Sequence, residues 1–331
     1  MSTWRVREID ASTWLPAREI GGVDGVSISR KTGKDARMLE SAMMDVTGTL
    51  DEGYYRVELL DDGGSLVNVA TMLFVPDDFE WKYRQWSGSM SGRSVLAPAS
   101  ERRLSPGAYA PKGVDGAQWC VGMLSSVMDA PVTRDGSFSL AQHVVFDLGD
   151  SYLDAVWAVL DAAGWCMQVS GDGTVTVREM PSEPSLVIDS ANSGLLMPNL
   201  SRSMPIEDVP NVLRVYDGAT EYVAENDDPA SPTSIQSRGR RIEEVEEDPT
   251  LREGETYGQY ARRRLAELGD VCEEMDIERE WVDGIVPYDV VRANLAESET
   301  VGDYRVMSQT VRCGNGITVG ETWGRIANGR N

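Results

Sequence analysis

Apolar and polar residues alternate through most of the first eighty or so positions, the period expected of strands with one face buried. Gly25-Val-Ser-Ile-Ser-Arg30 alternates in this way, and Ala42 to Leu50 reads as a further strand. Tyr54-Tyr-Arg-Val-Glu-Leu-Leu60 meets the turn Asp61-Asp-Gly-Gly64, and Ser65 to Val75 alternates again. Two such runs around an Asp/Gly turn predict a hairpin, because Gly and Asp accept the positive φ that tight turns require. Glu80 to Ser94 predicts a strand whose Trp81 and Tyr83 share one buried face. Several short strands joined by turns favour a closed or nearly closed barrel, which leaves no edge in solvent.

The pattern then changes. Ala97 to Lys112, rich in Pro, Ser and Gly, reads as loop, and Ala117 to Met128 as a short helix. Leu153, Val156, Trp157 and Leu160 recur at helical spacing, with Asp150 or Ser151 placed to cap the start and Gly164 to end it. Trp165 to Val169 and Thr174 to Arg178 flank the turn Gly171-Asp-Gly173 as an antiparallel pair. A helix packed on a hairpin is an α+β unit. Strands resume at Pro210 to Asp217 and Glu221 to Glu225, followed by the proline-containing loop Asn226 to Ser234. Tyr257, Tyr260, Ala261, Leu265 and Leu268 form one stripe of an amphipathic helix that Thr256 can cap. Cys272 to Val282, Asp289 to Ala293, Gly302 to Thr310 and Ile317 to Gly324 complete the strands. No fixed-period repeat is present.

A chain of 331 residues exceeds one small core and predicts two or three packing units. No apolar stretch approaches the roughly 18 to 20 residues of a membrane helix, and Met1 to Asp10 lacks the apolar core of a signal peptide. The formal charge of −23 opposes adhesion to nucleic acid or anionic membrane. It serves solubility, or a wall past which a polyanion must slide. Cys120, Cys166, Cys272 and Cys313 lie far apart and form no CxxC pair, so buried reduced thiols are expected rather than zinc ligands.

Candidate chemistry is sparse. His143 stands beside an apolar run without a second histidine or a nucleophile-elbow serine, and reads as a partly buried ring in a strand. Acid pairs are plentiful, but no pair stands out as a glycosidase dyad. Gly88-Ser-Met-Ser-Gly-Arg-Ser94 lacks the Lys and Ser/Thr of a phosphate loop and reads as a turn between units. The basic runs Arg238-Gly-Arg-Arg241 and Arg262-Arg-Arg264 border dense acids, Glu243 to Asp248 and Glu267 to Glu274, which predicts ion pairing rather than nucleic-acid binding. No catalytic, cofactor-binding or metal-ligating residue is assigned, and no enzyme activity is expected.

The order of these elements resembles the phage tail hub family that includes the T4-type baseplate hub, the late control protein D group and Bacillus prophage tail proteins. The likeness rests on six patches. Tyr83 to Ser94 resembles the linker out of a first barrel, Asp150 to Val177 the middle module, and Asn211-Val-Leu-Arg-Val215 the opening of a second barrel. Asn226 to Ile235 with Arg238 to Ile242 resembles that barrel's long hairpin loop; Ala261 to Leu268 and Gly302 to Val306 complete the order.

The resemblance implies a β-rich α+β fold: a tube-like barrel over 1–82, an α+β module over 83–185, and a second barrel over 186–331 with a helix inserted at about 255–269. It further implies a homotrimer whose six barrels make a pseudo-sixfold ring at the tail tip or baseplate of a virion. The chain would be made in the host cytoplasm and would insert in no membrane. Its partners would be the tail tube or distal tail protein, tip, spike or fibre proteins, and the tape measure protein, with DNA passing through unbound. The alternatives are the hub of a contractile injection apparatus, a tail-tip cell-wall hydrolase, and an isolated α+β binding protein.

Overall fold

Seven antiparallel strands form from the first ninety or so residues; in β3 and β4 the buried positions fall on one face at period two, whereas β5 is buried on both faces. They are β1 (Thr3–Asp10), β2 (Leu15–Ile20), β3 (Val23–Thr32), β4 (Met38–Thr47), β5 (Gly53–Leu60), β6 (Leu66–Lys82) and β7 (Gln85–Arg93), paired in the order β3-β4-β7-β6-β5-β1-β2. Val26, Ile28, Met44, Val57, Met72, Phe74 and Met90 point into one core, which Val311, Cys313 and Val319 from the end of the chain complete. Trp4 Nε1 donates to the Gly314 carbonyl at 2.7 Å, so the sheet curls until β1 meets that distant segment. This computed structural model describes residues 3–32, 37–60, 65–189, 192–204, 206–252, 254–269, 273–295 and 300–326. The turn expected at Asp61 to Gly64, and Cys272, lie outside them.

Two expectations fail in this wall. The Gly88–Ser94 run is strand rather than linker, since β7 pairs with both β4 and β6 up to Arg93. Its glycines permit close approach: a Cβ on Gly92 would stand 2.7 Å from that of Ala42. Trp81 and Tyr83 are exposed rather than buried, because the β6–β7 hairpin runs past the ends of its neighbours.

The middle unit comprises α1 (Ala97–Glu101), β8 (Tyr109–Ala110), α2 (Gly116–Ser125), β9 (Val132–Asp135), β10 (Val144–Val145), α3 (Tyr152–Ala163), β11 (Trp165–Val169) and β12 (Val175–Glu179). Helix α3 begins at a capping box in which Ser151 and Asp154 satisfy each other's backbone N–H, and ends at Gly164 with φ 70°. Val156, Trp157 and Leu160 are buried with Cys120 and Leu124 of α2 and Met167, Val169, Val175 and Val177 of the sheet. That sheet has a third strand that went unanticipated, β9, parallel to β12. The segment read as loop holds α1, whose Pro98 sits in the first turn where its missing N–H is not needed. His143 is exposed and precedes β10 instead of lying in a strand; its Nδ1 accepts from the Lys112 N–H at 3.1 Å.

The remaining elements are β13 (Pro184–Asp189), β14 (Leu196–Ser203), β15 (Val212–Asp217), β16 (Thr220–Glu225), α4 (Ile235–Arg238), β17 (Glu243–Glu247), α5 (Tyr257–Gly269), β18 (Glu274–Arg279), β19 (Val290–Leu295), β20 (Thr300–Cys313) and β21 (Ile317–Arg325). Strands β14, β18, β21, β20, β19 and β13 enclose a second core of Ile188, Met275, Ile277, Val291, Tyr304, Val306 and Trp323. Strand β20 is shared. Its first half pairs with β19 and its second half with β3, while β21 runs alongside it. The two walls are thus one sheet, thirteen strands among the described residues.

The segment Pro210 to Asp217 does not open the second wall. β15 lies between β16 and β17 in a separate sheet, covered by α5. Leu213 and Val215 alternate as a barrel strand would, but Tyr260, Ala261 and Leu265 of α5 bury them. The loop after β16 is accordingly a crossover to β17 on the far side of β15, not a hairpin loop. The insertion in the second wall is an α+β module, larger than the single helix expected.

Candidate assembly site: a charged seam and exposed strand ends

Where the two walls fuse, the inward face of β20 and β21 carries polar side chains among apolar ones. Arg30 sits on the same face of β3 as Val26 and Ile28, and donates to Glu40 Oε1, Gln309 Oε1 and the Val69 carbonyl, each at 3.0 Å. Gln309 on β20 passes the chain onward, its Nε2 donating to Glu321 Oε1 and to the Ile285 carbonyl at 2.8 Å. Glu321 on β21 also accepts from Arg279 Nε and Trp323 Nε1, each at 2.8 Å. The side chains of Arg279 and Glu321 are 0% exposed. A buried ion pair is favourable only when its remaining hydrogen-bonding groups are satisfied, which this network does. Its effect is directional: it fixes how the first wall meets the second.

A second fastening joins the middle unit to the first wall. The turn between β11 and β12 seats on β5 and β6, where Thr71 Oγ1 donates to the Gly171 carbonyl at 2.9 Å. Trp14 Nε1 and Arg56 Nη2 both donate to the Asp172 carbonyl at 2.8 Å. Burial pushes the Arg56 guanidinium below its ordinary range, as expected for a cation held against protein. At the other face of this junction, burial pushes the Asp289 carboxyl above the usual carboxylate range, although the Val286 N–H and Gln168 Nε2 donate to it.

Four of the six arginines of the basic runs, Arg238, Arg241, Arg263 and Arg264, are occupied within the chain. Arg241 pairs with Glu225 and Glu243, Arg263 with Glu255 and Glu267, and Arg264 with Glu246. Arg238 donates to the carbonyls of Glu207 and Val209. Cys120, Cys166 and Cys313 are free and buried, and burial raises the thiols of Cys166 and Cys313 to about 12. They serve as apolar filling.

The exposed apolar features include edge strands, the outer face of β4 and the tip of the β6–β7 hairpin. Among the described residues, the large sheet ends on β2 at one side and on β14 at the other, and β13 pairs only with β19. Leu15 of β2, Val187 of β13, and Leu39 and Met43 of β4 are exposed. The β6–β7 hairpin ends in Trp81, Tyr83 and Trp86, which are 57%, 100% and 43% exposed. Sequence reasoning assigned none of these a part in assembly, and placed Trp81 and Tyr83 on a buried face. The seam did leave a signal, since Arg30, Arg279 and Glu321 each stand in register with core residues of their own strands.

The fold is similar to those of solved tail proteins. No family model matches the chain, and no curated protein matches it in sequence. Among solved structures it is similar to the tail protein from Neisseria meningitidis MC58, with TM-score 0.71 and 13% identity over 98% of this chain and 96% of that one. It is also similar to the 43 kDa tail protein of prophage MuSo2 from Shewanella oneidensis, with TM-score 0.68 and 10% identity over 98% and 97%. A third similar structure is the E. coli c3393 protein, described as a component of the type VI secretion system, with TM-score 0.52 and 7% identity over 93% and 74%.

Proposed function

We propose that the chain is a structural hub of a phage tail tip or baseplate, in which three copies form a ring of six walls. Two curled walls in one chain, locked by the charged seam, carry the reading. A subunit that must stand in for two neighbours of a hexameric tube needs two similar modules held at a fixed angle. Free ends at β2, β13 and β14 then have a purpose, because closing a symmetric ring removes such edges from solvent. The similarity to tail proteins over nearly the whole chain supports the assignment. In this role the protein is not an enzyme, it resides in the virion tail, and it contacts tube and tip proteins. The net charge of −23 suits a passage along which DNA slides unbound.

The similarity to a secretion-system component keeps a second reading in view, the hub of an injection apparatus that carries no genome. Both readings require the ring. Multi-angle light scattering of the purified chain is expected to give the mass of three copies. A monomer at high concentration contradicts both.

A further inference from the structure

Where the first wall, the middle sheet and the loop between β18 and β19 meet, the protein leaves an open cavity of about 500 Å³, inside the ~300–1,000 Å³ range of small-molecule sites. Its wall is preformed. Gln168, 7% exposed, donates through Nε2 to the Pro287 carbonyl and to Asp289 Oδ1, each at 3.1 Å, and its Oε1 accepts from Arg178 Nη1 at 3.2 Å. Asp289 also accepts from the Val286 N–H at 2.9 Å, which cinches the loop. Within that loop the buried Tyr288 is held at φ 81°, a costly backbone conformation for a bulky residue and one that concentrates at ligand clamps.

Two donors belonging to this wall lack a partner. Trp281 and Arg178 both line the cavity, and Trp281 Nε1 and Arg178 Nε are buried with no acceptor among the described residues. A buried N–H without an acceptor is destabilising, so the pair calls for acceptor oxygens from outside the chain. Water alone would supply them, but it gains nothing from the apolar part of the lining, Leu66, Val67 and Ile285. Charge narrows the choice further. The lining holds three acidic residues, Asp172, Asp283 and Asp289, against the one guanidinium of Arg178, which disfavours an anion. A cation would leave both N–H groups unanswered. A neutral molecule with hydroxyl edges and apolar C–H faces meets every demand: its oxygens accept from Trp281 and Arg178, its hydroxyls donate to carboxylates, and its C–H face covers the apolar lining.

We propose that this cavity binds a small neutral carbohydrate, a mono- or disaccharide, through Trp281 Nε1 and Arg178. The site lies within one chain, so the proposal stands apart from the ring reading and survives its failure. Its test is heteronuclear NMR of the purified chain titrated with glucose, galactose, N-acetylglucosamine and maltose, with sodium acetate in parallel, read at the tryptophan indole signals. Trp281→Phe keeps an aromatic ring, removes the donor, and identifies the Trp281 signal by its loss. At least one sugar is expected to shift that signal at millimolar concentration. Trp281→Phe and Arg178→Met are each expected to weaken that sugar's binding, followed by saturation-transfer difference, on the order of tenfold. An unchanged melting temperature establishes that a variant is folded, and should one fail to fold, the other decides. No shift with any of the four sugars, shifts confined to other tryptophans, or variants that bind sugar as tightly as wild type overturn the proposal. Acetate that binds more tightly than every sugar, and is lost in Arg178→Met, reassigns the cavity to an anion and overturns it as well.

Discussion

Replacing Glu321 with Ala is expected to destabilise the protein by about 3–5 kcal/mol, the range for removing one partner of a fully buried ion pair. Four donors lose this acceptor at once: Arg279 Nε and Nη2, Gln309 Nε2 and Trp323 Nε1. Arg279 has no route to water, since its side chain is 0% exposed. Its charge would stay buried with the Glu280 carbonyl as a remaining acceptor. Denaturant unfolding followed by tryptophan fluorescence measures the loss, and Trp323 lies in the network as a local probe. A double variant, Arg279→Met/Glu321→Leu, is expected to recover part of the stability, because it removes the stranded charge while Gln309 Nε2 keeps the Ile285 carbonyl and only Trp323 Nε1 is left without its acceptor. A loss below about 1 kcal/mol for the single variant, the size typical of an exposed pair, would contradict the buried seam.

The second large effect is steric. A Cβ on Gly171 would lie 1.8 Å from the Asn68 carbonyl oxygen, and backbone cannot yield as a flexible side chain does. Gly171→Ala is therefore expected to lift the β11–β12 turn off the first wall. The bonds from Thr71, Trp14 and Arg56 to that turn would break together. At about 1 kcal/mol for each neutral bond, and more for the one from Arg56, the loss is on the order of 3 kcal/mol. Hydrogen exchange should show Val169 and Thr174 to Val177 losing protection while α3 keeps its own. Gly122→Ala is the control, since Gly122 lies in α2 with nothing within 4 Å of its added Cβ. That change should be neutral or stabilising. Equal behaviour of the two variants would contradict the seating of the turn.

Local structure was largely legible in the sequence. The spacing of Val156, Trp157 and Leu160, with Ser151 before them and Gly164 after, specifies α3 through interactions that are all near in sequence. Strand positions followed from alternation for the same reason. Pairing did not. Alternation tells which face of β20 is buried but not that Ser308 to Cys313 meets β3, nearly three hundred residues away in sequence. It is equally silent about what covers a face, so Leu213 and Val215 read as barrel wall although α5 covers them. Trp81 and Tyr83 misled in the opposite direction. Apolar residues at period two imply a core only when the strand has neighbours, and this hairpin outruns them. The exposed hairpin tip was hidden for the same reason, because exposed aromatic residues and core aromatic residues look identical in one dimension.

The whole reading depends on two walls in one chain acting as two neighbours of a tube. Electron cryomicroscopy of the assembled ring, viewed down its axis, tests this directly. The account predicts six curled walls around a channel, supplied by three chains, with walls built on β1–β7 alternating with walls built on β13, β14 and β18–β21. Six chains each contributing a single wall, or particles containing one chain and no channel, would contradict it.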